Sequence, residues 1–164
     1  MIFITVGSAF PFDRLIQSMD SWAKITGRGD DCVAQIGRGR FRPAHMEWHV
    51  NLEHAHFSVT MQKAKLVVAH AGMGSVITAM QHMTPIVLLP RRFEAGEHTT
   101  DHQMATARWL EGKPGVFIAW DENDLAAQIQ AAEGWAGTDA GLDPYAPKDF
   151  RDRLKAQLTD WSQG

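Results

Sequence analysis

The residues best suited to binding a charged ligand form a short glycine-containing segment near the middle of the chain. This segment follows an apolar, β-branched run at 66–69 and precedes residues compatible with a helix. A glycine turn between a strand and a helix brings bare backbone N–H groups to the helix N-terminus, where a phosphate is stabilised. The segment therefore predicts a diphosphate site, and its residues are His70, Ala71, Gly72, Met73, Gly74 and Ser75.

The residues alone leave other interpretations of this segment open. The glycines could serve only to make a tight turn. The spacing departs from the dinucleotide-binding fingerprint, because Ile77 stands where that fingerprint has its third glycine. The segment also lacks the lysine of a phosphate-binding P-loop. Gly72 and Gly74 would still let the backbone approach a diphosphate closely.

A second group of polar residues follows the next apolar run, which ends in Pro90. Carboxylates and amides suit sugar recognition, because each can accept from or donate to adjacent hydroxyls. The alternatives are a solvated helix start capped by Asp101 and a metal site built on two histidines. Two histidines without further ligands do not make a typical zinc site, so no metal is predicted. The residues of this polar run are Glu97, His98, Asp101, His102 and Gln103.

Composition narrows the classes of function. The 164 residues fit one domain, and a formal net charge of −3 gives no reason to expect nucleic acid as the main partner. The single cysteine, Cys32, excludes an internal disulfide framework and fits a reducing compartment such as the cytoplasm. The opening apolar run at 2–6 is typical of a strand rather than a signal peptide. No run approaches the roughly 20 apolar residues of a membrane helix.

The elements that must position these residues alternate along the chain. Apolar runs predict strands at 2–6, 32–36, 45–50, 66–69, 86–89 and 116–119, and helical spacing predicts helices between them. Asp121 is a plausible N-cap for the last helix, at 122–133. The alternation predicts a Rossmann-like α/β domain, with a mainly parallel sheet and helices on both faces. Ligands bind beyond the carboxyl ends of such strands, so the loops to inspect start at Gly7, Gly37, His70 and Pro90.

We expect the domain to occupy residues 1–133. The stretch 134–147, rich in glycine, proline and aspartate, is predicted to be a linker. The segment 148–164 is predicted to be an amphipathic helix, which either packs on its own domain or docks on a partner. Its apolar stripe consists of Phe150, Leu154, Leu158 and Trp161.

The motifs together resemble a known family. The segment at 70–75, the strand at 84–90 and the polar run at 96–103 are similar to the C-terminal, donor-binding domain of glycosyltransferase family 28. The start of the chain, at 4–8 and 11–13, resembles small stand-alone members, as in bacterial exopolysaccharide synthesis and dolichol-linked N-acetylglucosamine transfer. The similarity runs from residue 1 to about residue 132. It implies a domain equivalent to the C-terminal half of a GT-B glycosyltransferase.

The resemblance implies a function and a set of site residues. It implies inverting transfer from a UDP-sugar to a lipid-linked saccharide, with a membrane-associated partner that binds the acceptor and holds this subunit at the cytoplasmic membrane face. No cofactor beyond the UDP-sugar donor is expected. Gly7 and Ser8 should face the diphosphate across the cleft from the segment at 70–75. The sugar should lie near Glu97, Asp101, His102 and Gln103, and the local candidates for proton transfer are Glu97 and His98.

The basic pair Arg91 and Arg92 has several interpretations. It could be a solvated feature, or it could bind the carboxylate of a uronic acid by bidentate hydrogen bonds. UDP-glucuronate is therefore a candidate donor, beside UDP-galactose and UDP-N-acetylglucosamine. In an NAD(P)-dependent oxidoreductase, which is the alternative function, the pair would grip a 2′-phosphate. A noncatalytic UDP-sugar-binding subunit is a further alternative.

Overall fold

A computed structural model describes residues 1–137 and residue 152. The predicted C-terminal helix and the linker beyond residue 137 lie outside these residues, apart from residue 152. Strands and helices alternate along the described part, as the sequence predicts. The elements are β1 (Ile2–Thr5), α1 (Asp13–Thr26), β2 (Cys32–Gln35), β3 (Glu47–His49), α2 (His54–Lys63), β4 (Leu66–His70), α3 (Met73–Gln81), β5 (Ile86–Leu89), α4 (His102–Leu110), β6 (Val116–Ile118) and α5 (Leu125–Glu133).

The strands form one sheet in the order β3-β2-β1-β4-β5-β6, and every neighbouring pair is parallel. This confirms the predicted Rossmann-like α/β fold. Strand β1 pairs with β2 on one side and with β4 on the other, so the connections run in opposite directions from the middle of the sheet. Such a switch point leaves a crevice at the carboxyl ends of the strands, where open α/β sheets bind their ligands.

Apolar layers cover both faces of the sheet, which explains why the strands are continuous apolar runs rather than alternating ones. On one face, α1 contributes Leu15 and Met19, and α5 contributes Leu125 and Ile129. On the other face, side chains of α2, α3 and α4 pack together. Both layers bury the strands, and the loops at the carboxyl edge extend from these buried strands.

Two helix starts matter for the site. Helix α3 begins at Met73 rather than at the predicted position 76, so Gly74 and Ser75 lie within its first turn. Before α5, a short 3₁₀ turn carries the predicted cap: the side chain of Asp121 accepts a hydrogen bond from the Asn123 N–H at 2.7 Å. Asp121 is therefore an N-cap of this 3₁₀ turn, whereas α5 itself begins at Leu125, after Asp124.

Candidate functional site

A cleft of about 560 Å³ opens at the carboxyl edge of the sheet, at the switch point between β1 and β4. Its walls come from the β1–α1 loop, the ends of β2 and β4, helices α2 and α3, and the β5–α4 loop. The predicted site residues that line it are Gly7, Ser8, His70, Gly74, Ser75, Arg91, His98 and Gln103. The predicted residues outside its lining are Ala71, Gly72, Met73, Arg92, Glu97, Asp101 and His102.

His70, at the end of β4, explains two of the glycines. A Cβ atom added to Gly7 would lie 2.7 Å from Cε1 of the imidazole, and one added to Gly72 would lie 2.2 Å from Nε2. Gly7 also has a φ of +71°, a conformation that favours glycine. Both glycines are therefore needed to accommodate the His70 ring between the two loops, which is a packing role that the sequence pattern does not reveal.

The imidazole of His70 is neutral at neutral pH. Burial, together with the positive charge of Arg91, lowers its pKa to about 4, although the backbone of Thr5 favours the protonated form. Its Nδ1 atom is buried without a hydrogen-bond partner in the described part of the chain. A histidine with so low a pKa is a weak base, so His70 is better suited to shaping the cleft than to accepting a proton.

The N-terminus of α3 borders the cleft with backbone donors that have no partner among the described residues. The first hydrogen bond of this helix joins the Val76 N–H to the Gly72 carbonyl at 3.3 Å, so the N–H groups of residues 73–75 precede the intrahelical ladder. A Cβ atom added to Gly74 would meet no atom within 4 Å. Gly74, which lines the cleft with Ser75, thus leaves open space where a side chain would stand. A helix N-terminus that borders a cleft in this way suits an anion.

Glu97 is held by an ion pair that the sequence does not predict. Arg14, on α1, donates from Nε and Nη2 to the two carboxylate oxygens at 2.7 and 2.9 Å, and the Arg92 N–H donates to the same carboxylate at 2.8 Å. These three hydrogen bonds occupy both oxygens of the Glu97 carboxylate. The structure therefore places Glu97 in a loop-holding contact rather than in the lining of the cleft, in contrast to its predicted sugar-binding and proton-transfer roles.

Arg91 differs most from its predicted roles. Its side chain is 2% exposed, and its two Nη atoms donate to four backbone carbonyls at 2.6 to 3.1 Å. Burial lowers its pKa to about 10, against the influence of Glu97, so it stays cationic at neutral pH. Arg91 is neither solvated nor free to bind a sugar carboxylate or a 2′-phosphate. The guanidinium of Arg92 instead donates to the Trp120 carbonyl at 3.3 Å.

His98 lines the cleft in a cluster of rings. Its ring centroid lies 4.8 Å from that of Phe10 and 4.3 Å from that of His102. Partial burial and the nearby charges of His102 and Arg91 lower its pKa. Its Nδ1 accepts a hydrogen bond from the Thr100 N–H at 3.3 Å, so the neutral ring carries its proton on Nε2. In this arrangement Nε2 is a donor for a ligand oxygen rather than a base.

Gln103 is the predicted sugar-binding residue that lies deepest in the cleft. It is 3% exposed, and its Oε1 accepts from the Arg91 N–H at 3.2 Å. This bond orients the amide and leaves its nitrogen without a partner among the described residues. Asp101 precedes α4, but its carboxylate accepts from the Phe93 N–H at 3.2 Å and makes no cap to the helix. The alternative interpretation, in which the Asp101 side chain caps α4, therefore finds no support among the described residues.

Sequence reasoning missed one wall of the cleft. This wall comes from α2 and the residues before it, namely Leu52, His54, Phe57 and Ser58. Helix α2 follows the short strand β3, whose carboxyl end lies at the same edge of the sheet as those of β1 and β4. A parallel β3 could have indicated this wall from the sequence, because parallel strands bring all their following loops to one edge.

Other chemical classes of site find no support in the part of the chain that the structure describes. There, no group of three or more histidine, cysteine, aspartate or glutamate side chains could hold a metal ion. No carboxylate is found among the described residues that line the cleft. Over the same residues, no helix is both long and apolar enough to span a membrane.

The sheet order and the cleft at its switch point define a Rossmann-like α/β domain. Residues 1–130 match the model of the glycosyltransferase family 28 C-terminal domain. The chain therefore belongs to this family of glycosyltransferase domains. No curated protein sequence matches the chain.

Solved structures share the fold. A glycosyltransferase of kitacinnamycin aligns with 84% of the chain at 19% identity and a TM-score of 0.57. The glycosyltransferase SnogD from Streptomyces nogalater aligns with 83% at 20% identity and a TM-score of 0.56. The chain covers 35% of each of these two proteins. The solution structure of ALG13 aligns at 16% identity and a TM-score of 0.56, with 93% of both chains covered.

Proposed function

We propose that the chain is the donor-binding, catalytic subunit of an inverting glycosyltransferase that uses a UDP-sugar. The observation that carries this proposal is the unpaired N-terminus of α3, which borders the cleft at Gly74 and Ser75. The partial positive charge of a helix N-terminus stabilises a diphosphate. The cationic Arg91 lies in the same cleft, and the described lining residues include no carboxylate to repel the diphosphate.

The sugar would occupy the side of the cleft formed by the β5–α4 loop and α4. There the amide nitrogen of Gln103 and the Nε2–H of His98 are two donors suited to sugar hydroxyls. Gly7 and Ser8 face the same cleft from the β1–α1 loop. In this arrangement α3 binds the diphosphate and the β5–α4 side binds the sugar.

The proposed reaction is a direct displacement at the anomeric carbon. The acceptor hydroxyl oxygen forms a bond to that carbon while the bond to the diphosphate oxygen breaks, and UDP departs with the bonding electrons. The N–H groups of α3 would stabilise the charge that develops on UDP. The carboxylate of Glu97 is held by Arg14, so we assign the base that takes the hydroxyl proton to the acceptor-binding partner.

We further propose that a membrane-associated partner binds a lipid-linked saccharide acceptor, as in exopolysaccharide synthesis, and holds this subunit at the cytoplasmic membrane face. Membership of the donor-binding domain family supports this division of labour. Two observations are consistent with this division: the chain and ALG13 align over 93% of both, and the chain covers only 35% of the two longer glycosyltransferases. The predicted helix at 148–164 is the proposed docking element.

Calorimetric titration of the purified chain tests the proposal. UDP, UDP-glucuronate, UDP-galactose, UDP-N-acetylglucosamine and NADPH are added in separate experiments. We expect UDP and at least one UDP-sugar to bind with one site per chain, and NADPH to bind much more weakly. Preferential binding of NADPH, or no heat with any uridine nucleotide, would contradict the donor site. Transfer to a lipid acceptor by the chain alone would contradict the need for a partner.

A further inference from the structure

Arg91 closes the loop that carries Gly7 and Ser8. Its Nη2 atom donates to the carbonyls of Val6 and Phe10, at 2.7 and 2.8 Å, so a single nitrogen holds both ends of the segment 7–9. The guanidinium carbon also lies 4.7 Å from the centroid of the Phe12 ring. Arg91 lies in the β5–α4 loop, two residues after the end of β5, so the position of the β1–α1 loop depends on a residue of the neighbouring loop.

Glu97 accepts hydrogen bonds at both its backbone carbonyl and its carboxylate. Its backbone carbonyl accepts from Arg91 Nη1 at 3.1 Å, and its carboxylate accepts from both Arg14 Nε and Arg14 Nη2. Arg14 also donates to the Pro90 carbonyl at 2.9 Å. The residue that follows Glu97 is His98, which lines the cleft. Arg14 therefore holds the β5–α4 loop from α1, and Arg91 holds it from within the loop, through the Glu97 carbonyl.

We infer that Arg14, Arg91 and Glu97 form a brace that sets the width of the cleft and positions His98 and the segment 7–9 for the donor. This inference rests on the proposed function. In it Glu97 is a positioning residue, which acts through the loop and does not touch the sugar. Arg91 positions both loops, and Arg14 holds Glu97.

A double-mutant cycle separates this role from direct sugar binding. The variants are Arg14→Gln, Glu97→Gln and their combination, titrated with UDP and with the three UDP-sugars named above. Both single changes remove the Arg14–Glu97 ion pair, and Arg14→Gln also removes the Arg14 hydrogen bonds to Glu122 and to the Pro90 carbonyl. We expect each single change to weaken UDP-sugar binding about tenfold, and the combination to bind no more weakly than Arg14→Gln alone. Glu133→Gln is the matched control, because it removes a two-bond arginine–glutamate pair with Arg28 far along the chain from the cleft loops.

Hydrogen exchange of the unliganded protein provides a readout that needs no ligand. Peptides covering 6–12 and 90–101 are followed by mass spectrometry in the same variants and in Arg91→Lys. Lysine keeps the charge but cannot reproduce the planar fork that reaches four carbonyls. We expect faster exchange at 90–101 in the Arg14 and Glu97 variants, faster exchange in both peptides in Arg91→Lys, and wild-type exchange in Glu133→Gln.

The outcomes distinguish the two proposals. If Glu97→Gln weakens UDP-sugar binding while Arg14→Gln does not, Glu97 contacts the sugar and the brace is overturned. Unchanged exchange of both loops in Arg14→Gln and Arg91→Lys would overturn it as well. If the wild-type chain binds no uridine nucleotide, but the loops of the variants exchange faster as expected, the brace stands as a structural coupling and the proposed function fails.

Discussion

At the scale of single residues, three glycines around the cleft have two different roles. Gly7 and Gly72 have no room for a side chain, because the His70 ring occupies the position that a Cβ atom would take at each of them. Gly74 has open space in front of it. The same residue type thus serves packing at two positions and ligand access at the third. In the sequence, Gly72 and Gly74 are separated only by Met73, so the motif does not distinguish these roles.

The buried imidazole of His70 makes a prediction for acid stability. Its pKa is about 4 in the folded chain, below the ordinary value of about 6.5, so the unfolded state binds more protons between these values. The contribution of His70 to the free energy of unfolding is complete above pH 6.5 and is lost as the pH falls towards 4. We expect this group to add a slope of up to about 1.4 kcal/mol per pH unit.

Urea denaturation of the wild type and of His70→Gln, across pH 4 to 6.5, measures this slope. The variant should show a shallower dependence on pH than the wild type, whatever its absolute stability. His82→Gln removes an exposed histidine and serves as the control. Asp20, whose pKa is lowered by its hydrogen bonds to His45 despite its burial, contributes only at lower pH. Equal slopes for the wild type and His70→Gln would show that His70 does not titrate as the structure implies.

At the scale of elements, the start of α3 decides how the cleft is used. The helix begins inside the glycine segment, so its first turn carries both the open glycine and the unpaired N–H groups. A polar or aliphatic residue at position 74 would raise helix propensity over glycine. Helix stability therefore does not explain why position 74 is glycine. Close approach of a ligand to the backbone does explain it.

Gly74→Val tests this use of the helix. Valine is not a worse helix former than glycine, so the variant should fold with a stability within about 1 kcal/mol of the wild type. Its side chain would fill the space that a diphosphate needs, and we expect UDP affinity to fall at least about tenfold. Gln81→Val, at the last residue of the same helix, is the control. Folded Gly74→Val with unchanged UDP affinity, measured by calorimetry, would remove the α3 N-terminus from the site.

Most of the elements could be predicted because they depend on local patterns. Apolar runs and helical spacing identified every strand and helix of the described part, and β-branched runs bounded by glycine or proline placed the loops that form the cleft. The boundaries were less predictable. Strand β3 is limited to residues 47–49 instead of 45–50, and α3 starts three residues earlier than its apolar pattern indicates. The true start of α3 was missed because glycine, here Gly74 in the first turn, is unfavourable in helices.

The contacts that hold the site could not be predicted, because they join residues that are distant in the sequence. Arg14 and Glu97 are separated by 83 positions, and Arg91 and Val6 by 85. A basic pair at a strand end and a carboxylate in a polar run have the same local pattern whether they face a ligand, water or a neighbouring loop. Only the juxtaposition of the β1–α1 and β5–α4 loops determines which of these occurs.

At the scale of the whole molecule, the parallel sheet brings the loops that line the cleft to its carboxyl edge. Because all the strands run in the same direction, the loops after β1, β2, β4 and β5 all open at one edge, and the reversal of strand order between β1 and β4 leaves a crevice there. The described lining residues supply donors and a cation but no carboxylate. Such a half-site suits the binding of an anionic leaving group, and the proposed partner would complete it with an acceptor and a base.

If UDP binds with its diphosphate at the N-terminus of α3, the backbone amides there must sense it. Backbone amide NMR of the isotope-labelled chain, titrated with UDP, measures this. We expect the largest chemical-shift changes at the amides of Gly74, Ser75 and Ser8, and small changes at Trp22 and Ile25 in the groove beside α5. UDP binding with its largest changes at that groove, or with none at α3, would show that the diphosphate does not bind at this helix.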